Sequence, residues 1–206
     1  GFATTEAAPT IYVSQIEKDF YDWNSYMAIQ NTGSSAVDVT ITYVNRYGTN
    51  FPAATENLTI PAFSNQVVYL EENPNLPNDF LGGATISADD NTTGLVVTSV
   101  FYNTGSDYKK SQIHAYNGAT TGSNTLYAPY IVRNYYGYNS GLMIQNVGSE
   151  PTSFKITFTF GGREYTYQHP SMLNPGEVKD FYLPGVSVLN PVDGLAVNQR
   201  FGKAII

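Results

Sequence analysis

Apolar and polar residues alternate along short stretches of this chain. In residues 37–43, and again in 154–160, every second residue is apolar, and the residues between are Asp, Lys or Thr. A period of two places all the apolar side chains on one face of a β-strand. Clusters of Gly, Pro, Asn and Ser bound further strand candidates, which are 10–16, 25–30, 57–61, 66–70, 83–88, 94–103 and 109–115. No segment carries a helical stripe, so the pattern predicts an all-β protein.

The chain contains an internal repeat. Residues 10–48 align without a gap to residues 125–163 after a shift of 115 positions, with thirteen identities in 39 positions. After a two-residue deletion the match resumes, with Val68-Tyr69-Leu70 facing Phe181-Tyr182-Leu183. We therefore interpret the chain as a duplicated module.

About seven short strands per hundred residues are typical of an immunoglobulin-like antiparallel β-sandwich. We predict two such sandwiches in tandem, spanning residues 10–116 and 125–206. A Gly/Thr-rich linker, 117–124, joins them, and residues 1–9 form an N-terminal extension outside the repeat.

The two modules are unequal at their ends. If Gly202 corresponds to Gly94, the second module contains only the start of its penultimate strand and lacks the last one. Three explanations remain open: truncation or processing, a shorter module, or a strand supplied by another subunit. In strand complementation, an extended segment of one chain completes the sheet of another. The predicted assembly residues are Phe2, Ala3, Thr4, Thr5, Ala7 and Ala8 as donor, with Ala204, Ile205 and Ile206 at the other end.

The amino-acid composition of the chain excludes several classes of protein. Only 13% of the 206 residues are charged, 14% are aromatic, and there is no cysteine. These values argue against disorder, disulfide scaffolds and thiolate metal sites. A net charge of −7 disfavours nucleic acid as a partner, and no apolar run approaches the length of a membrane span. We expect a mature exported protein at the cell surface.

The repeated motif carries a resemblance. Tyr135-Tyr136-Gly137-Tyr138-Asn139-Ser140, followed by Met143-Ile144-Gln145-Asn146-Val147-Gly148-Ser149, resembles repeat modules of secreted bacterial cell-surface proteins. The first module carries the equivalent Tyr21-Asp22-Trp23-Asn24-Ser25 and Ile29-Gln30-Asn31-Thr32-Gly33-Ser34. The resemblance implies an extracellular, wall-associated or appendage protein without catalysis. The architecture further resembles subunits of filaments that assemble by strand donation.

Aromatic residues at equivalent loops offer an alternative function. Tyr21, Trp23, Tyr136 and Tyr138 are candidates to stack on sugar rings, as in an adhesion or carbohydrate-binding module. Aromatic residues at such positions also plug the ends of sandwiches. Both interpretations stand at this stage.

Little in the sequence points to chemistry. His114 and His169 occupy non-equivalent positions without a nucleophile motif, so we predict no enzyme and no cofactor. As a single exception, loop carboxylates such as Asp89-Asp90 beside Asn91 offer oxygen ligands for Ca²⁺. Asn57 and Asn91 begin Asn-x-Thr sequons that accept N-glycans in a compartment that attaches them.

Overall fold

A computed structural model describes residues 6–104 and 111–206. The chain forms two compact units, one of residues 1–121 with 176–178 and the other of 122–175 with 179–206. Within the described residues the regular structure is β-strand with short 3₁₀ turns, and every strand pair is antiparallel. The predicted all-β sandwich class is therefore confirmed.

Among its described residues, 6–104 and 111–121 with 176–178, the first unit has eight strands. They are β1 Thr10–Lys18, β2 Trp23–Asn31, β3 Val37–Asn45, β4 Glu56–Ile60, β5 Asn65–Tyr69, β6 Phe80–Ala88, β7 Leu95–Thr104 and β8 Ser111–Asn117. They form two sheets, ordered β1-β6-β3-β4 and β5-β2-β7-β8. The pairs β3–β4 and β7–β8 are hairpins within one sheet, and the other connections cross between the sheets.

Alternation along the strands builds the core of this unit. Val37, Val39, Ile41 and Tyr43 are buried, as their period of two predicts. They pack with residues of the opposite sheet such as Ile29. Complete burial of an aliphatic side chain of this size contributes about 1.5–3 kcal/mol. The core therefore lies between the two sheets.

The second unit has six strands. They are β9 Tyr127–Val132, β10 Gly141–Gln145, β11 Lys155–Phe160, β12 Arg163–Gln168, β13 Val178–Tyr182 and β14 Phe201–Ile205. Their sheets are β12-β11-β14-β9 and β10-β13. Short 3₁₀ segments complete both units, at Pro52–Ala54, Leu70–Glu72, Leu183–Gly185, Ser187–Gly194 and Val197–Gln199.

Strand β14 corresponds to β6, so the predicted correspondence of Gly202 with Gly94 is wrong. Gly82 lies opposite Ile16, and Gly202 lies opposite Ile131, which is the repeat partner of Ile16. A Cβ at Gly82 would lie 2.0 Å from the carbonyl oxygen of Val44, and one at Gly202 would lie 1.9 Å from that of the equivalent Thr159. Both positions need glycine because two backbones approach closely there. Sequence alignment missed this because eight more residues separate β13 from β14 than separate β5 from β6.

Candidate functional site: an open sheet edge and paired aromatic turns

The clearest difference between the units lies along one edge of β10. In the first unit β2 lies between β5 and β7, and it pairs with β7 from Trp23–Asn103 to Asn31–Leu95. The equivalent strand β10 pairs with β13, and among residues 6–104 and 111–206 no strand lies on its other side. A free edge presents backbone N–H and C=O groups that another strand can pair with. This edge is the candidate assembly site.

Apolar side chains next to this edge are less covered than their counterparts. In the first unit Ile11 is 1% exposed, because β1 packs against β7 and Gly118, which follows β8, approaches the Ile11 side chain. Its equivalent, Leu126, is 41% exposed, although its backbone N–H and C=O both bond to Ile206 at 3.0 Å. Leu142 is likewise only partly buried, whereas its equivalent Met27 is fully buried. An additional strand on β10 would cover apolar surface as well as pair backbone groups.

The predicted donor segment is partly fixed to its own unit. The N–H of Ala8 donates to the Leu95 carbonyl at 3.1 Å, and the Leu95 N–H donates back at 2.8 Å. Pro9 accepts a hydrogen bond from Ala88 at 2.7 Å. Ala7 is partly buried, and Phe2, Ala3, Thr4 and Thr5 lie outside the described residues. A donor segment compatible with these bonds ends before Ala8.

The other predicted assembly residues belong to an interior strand. Ala204 is buried and lies opposite both Phe158 and Ala128, so β14 has a partner strand on each side. Ile205 lies on the outer face, opposite Tyr127, and Ile206 bonds to Leu126. Strand β14 therefore lies inside the β12-β11-β14-β9 sheet, which is not the sheet that contains β10, and it has no free edge to donate.

The aromatic segments form the same tight turn in both units. Phe20 and Trp23 exchange two backbone hydrogen bonds of 3.0 Å, and Tyr135 and Tyr138 exchange bonds of 3.1 and 2.9 Å. Both central residues have positive φ in each turn, which defines a type I′ hairpin turn. The first central residue is a tyrosine with φ of 51° or 50°, a conformation that Cβ-bearing residues seldom adopt.

These tyrosines point away from the protein. Tyr21 is 80% exposed and Tyr136 is 68% exposed, and each ring meets the preceding aromatic ring edge-on at 4.8 Å. Tyr138 is also exposed, whereas Trp23 is half-buried with its ring 5.1 Å from that of His114. Three of the four predicted ligand-binding aromatics are therefore open to a partner, and Trp23 is only partly so.

The identical polar residues of the motif hold the backbone. The side-chain oxygens of Asn24 and Asn139 accept the N–H of the residue five positions earlier, at 2.9 and 2.8 Å. Asn31 and Asn146 each accept the N–H two residues later, at 2.8 and 2.9 Å, and donate to carbonyls of a neighbouring segment. The repeated motif therefore specifies turn geometry in both units.

Sequence analysis missed a pair of buried cations. Lys18 donates to the carbonyls of Asn73 and Leu76 at 2.7 and 3.0 Å. Its repeat equivalent, Arg133, donates to the carbonyls of Leu183 and Val186. Both side chains therefore fix the segment that follows β5 or β13. The sequence signal for this pair was that Lys18 and Arg133 align in the repeat, so both modules carry a positive charge at the same position. A buried cation needs hydrogen-bond acceptors, which the backbone carbonyls supply here.

Arg133 has an acidic partner as well. Its guanidinium binds Asp193 at 2.8 Å, and its hydrogen bonds to that carboxylate lower the pKa of Asp193 below the ordinary value. Asn134 also donates to Asp193, at 2.7 Å. These bonds join the end of β9 to the 3₁₀ segment Ser187–Gly194.

The remaining candidate residues, the two histidines and the loop carboxylates, do not form a common site within the described residues. His114 stacks on Phe101 at 4.7 Å, and His169 stacks on Phe154 at 4.8 Å in the other unit. Within the described ranges, no three His, Cys, Asp or Glu side chains are placed to hold a metal ion. Hydrogen bonds from Thr93 and Thr92 lower the pKa of Asp90 to about 2.

Both sequon asparagines are on the surface. Asn57 lies on β4, and Asn91 lies with positive φ in the turn between β6 and β7. Throughout the part of the chain that the structure describes, no helix has the length and apolar character needed to cross a membrane.

Comparison with known proteins finds matches among solved structures only. No protein-family model matches the chain, and no curated protein matches it. The chain is similar to Thermotoga maritima 1070 at 12% identity, covering 54% of this chain and 92% of that one with a TM-score of 0.44. It is similar to the Anabaena sensory rhodopsin transducer at 18% identity, covering 44% and 91% with a TM-score of 0.37. Both likenesses concern the fold alone.

Proposed function

We propose that this chain is a non-catalytic extracellular structural protein that self-assembles at the cell surface by β-strand donation. The acceptor is the free edge of β10, and the donor is the segment preceding Ala8 of a second copy. The filament or pilus-like assembly that follows needs no cofactor. The supporting observation is the contrast between β2, which has a strand on both sides, and β10, which has one on a single side among the described residues.

The first unit supplies the template for the donated strand. Strand β7 runs antiparallel to β2, and it buries Leu95, Val97 and Phe101 in the core. A donated strand on β10 would run antiparallel in the same way and lie over Leu126 and Leu142. Main-chain hydrogen bonds give such a complex its affinity, and alternate side chains give its register.

Cross-linking tests this arrangement directly, because the chain has no native cysteine. Thr4→Cys in one copy and Met143→Cys in another should form an intermolecular disulfide under mild oxidation. The variants Ala3→Cys and Thr5→Cys, one position to either side, cover the alternative registers. Cα atoms must come within about 7 Å for such a bond.

Ala28→Cys is the matched control, since Ala28 is the repeat equivalent of Met143 and lies opposite Thr98 of β7. We expect cross-links to Met143→Cys and none to Ala28→Cys. Equal yields at the two positions, or none at Met143→Cys from any donor position, would overturn strand donation.

Deletion of residues 1–7 gives an independent measurement. It keeps the Ala8–Leu95 bonds, so we expect a folded monomer by sedimentation where the full chain forms larger species. Undiminished assembly of the shortened chain would contradict the proposed donor.

A second candidate function is carbohydrate binding or adhesion through the aromatic turns. It is favoured by the outward rings of Tyr21, Tyr136 and Tyr138, which are held on a tight turn. A glycan array tests it with the wild-type chain and a Tyr21→Ala/Tyr136→Ala double variant. A signal that the double variant loses supports this function, and an array without signal contradicts it.

A further inference from the structure

The second unit carries a groove that none of the preceding roles uses. It lies on the outer face of the β12-β11-β14-β9 sheet and has a volume of about 420 Å³. Its main lining residues are Pro129, Tyr130, Thr159, Gln199, Phe201 and Lys203. This volume is within the range of small-molecule sites, about 300–1,000 Å³.

Two stacked aromatic rings form the wall of the groove. The rings of Tyr130 and Phe201 are 6.4 Å apart and inclined by 26°, and Phe201 meets Tyr135 edge-on at 5.9 Å. Tyr130 is 62% exposed and Phe201 is 47% exposed. Large aromatic side chains normally bury most of their area, so this exposed pair offers a flat apolar surface to a ligand.

The first unit has different residues at the same positions. Gln15 replaces Tyr130, Leu81 replaces Phe201, and Arg46 replaces Gly161. The Arg46 guanidinium lies over the Phe20 ring at 5.0 Å, and the Arg46 backbone N–H donates to the Leu81 carbonyl at 2.9 Å.

The loop opposite the rings is reduced to a glycine turn in the second unit. Gly161 and Gly162, with φ of 54° and 75°, join β11 to β12 directly. Arg46, which lies over the Phe20 ring in the first unit, thus has Gly161 as its counterpart, and no long side chain extends from this turn over the groove. The second unit therefore has two aromatic residues where the first has Gln15 and Leu81, and it has glycine where the first has Arg46.

The polar groups around the rings define the ligand. The residues that line the groove include the Lys203 amine, the Thr159 hydroxyl and the Gln199 amide, and no carboxylate is among them. A cationic ligand is disfavoured by the lysine. A ring with one apolar face and a rim of hydroxyls matches both the aromatic wall and the amide and hydroxyl groups. We propose that this groove binds a carbohydrate ring, stacked on Tyr130 and Phe201.

This site does not depend on strand donation or on glycan binding by the aromatic turns. Its test distinguishes binding in the groove from both of those proposals. Three soluble probes are titrated into the full chain by calorimetry: chitotriose, cellotriose and trigalacturonate. The variants Tyr130→Gln and Phe201→Leu install the first unit's residues, which that unit accommodates in the same fold. Tyr182→Gln, an exposed tyrosine outside the groove, is the matched control.

We expect at least one probe to bind, and each groove variant to weaken it about tenfold or more, equal to about 1.4 kcal/mol. Tyr182→Gln and the Tyr21→Ala/Tyr136→Ala variant should bind as the wild type does. Unchanged thermal unfolding confirms that the groove variants fold. The absence of binding by all three probes, or binding that both groove variants retain, would overturn the proposal.

Discussion

The two units share a strand arrangement and differ in what surrounds it. In the first, β2 has strands on both sides and Ile11 is sealed in the core, whereas β10 has a free edge among the described residues and Leu126 is accessible. The residues that both copies keep, such as Asn31 and Asn146, hold turns. Some residues that differ lie at the surface, such as Gly161, and others are buried, such as Glu17 and its equivalent Val132. The preserved asparagines therefore account for turns that both units share, and the differences between the units define the surfaces on which the two proposals rest.

Adding a single Cβ atom at the paired glycines tests whether β6 and β14 are equivalent strands. Gly202→Ala and Gly82→Ala each place a Cβ about 2 Å from a backbone carbonyl oxygen, which requires the strands to separate. We expect each to cost about 3 kcal/mol or more of unfolding free energy. Urea titration measures the free energy of unfolding. The fluorescence of Trp23, the only tryptophan, follows the unfolding of the first unit.

Gly194→Ala is the control for both variants, because a Cβ there has open space. A Gly202→Ala protein as stable as Gly194→Ala would refute the equivalence of the two strands.

The buried cations allow a comparison between the units. Arg133→Met removes hydrogen bonds to two carbonyls and the ion pair with Asp193, so we expect a loss of about 2.5 kcal/mol. Lys18→Met removes hydrogen bonds to two carbonyls alone, and we expect about 1.5 kcal/mol. Denaturant unfolding of the two variants gives both values.

The Asp193 resonance in an NMR pH titration provides the control for the larger effect. Its pKa should rise toward the ordinary value in Arg133→Met and stay low in Lys18→Met. The opposite order of stabilities would contradict the role assigned to the ion pair.

Glu17 is a buried carboxyl group where the second unit has Val132. Burial raises its pKa, and a hydrogen bond from Gln15 at 2.9 Å opposes the shift only partly. The folded state therefore binds the proton more tightly, so stability falls as pH rises from the ordinary pKa through the folded one. Glu17→Gln should gain about 1 kcal/mol at neutral pH.

That gain should vanish near pH 3, where Glu17 is protonated in both states. Unfolding curves at the two pH values check it. A gain of equal size at both would show that the buried charge is not its cause.

The smallest expected effect concerns the aromatic turns. Tyr21→Asn and Tyr136→Asn place a residue that tolerates positive φ in each turn, so each should gain about 0.5–1 kcal/mol. Gly137→Ala, at φ of 85° with open space around its Cβ, should lose stability. Thermal unfolding measures the three. A loss in both tyrosine variants would mean that ring contacts outweigh backbone strain.

The sequence predicted the strands better than the surfaces. Alternation is a local property, so the strands around 37–43 and 154–160 followed from side-chain period alone. The correspondence of Gly202 with Gly82 could not be predicted, because the longer connection between β13 and β14 interrupts the alignment of the two modules. The close backbone contact at both glycines shows the correspondence. The groove beside Tyr130 joins residues from three separate segments, 129–130, 159–162 and 198–203, which no local pattern connects.

The most direct test of strand donation is amide hydrogen exchange on β10. The chain lacking residues 1–7 is measured alone and with a synthetic peptide of residues 1–9. We predict that the amides of 141–145 become protected when the peptide is added, while those of β2, which already has two partner strands, do not change. Peptide binding that leaves 141–145 unprotected, or no binding at all, would contradict the account.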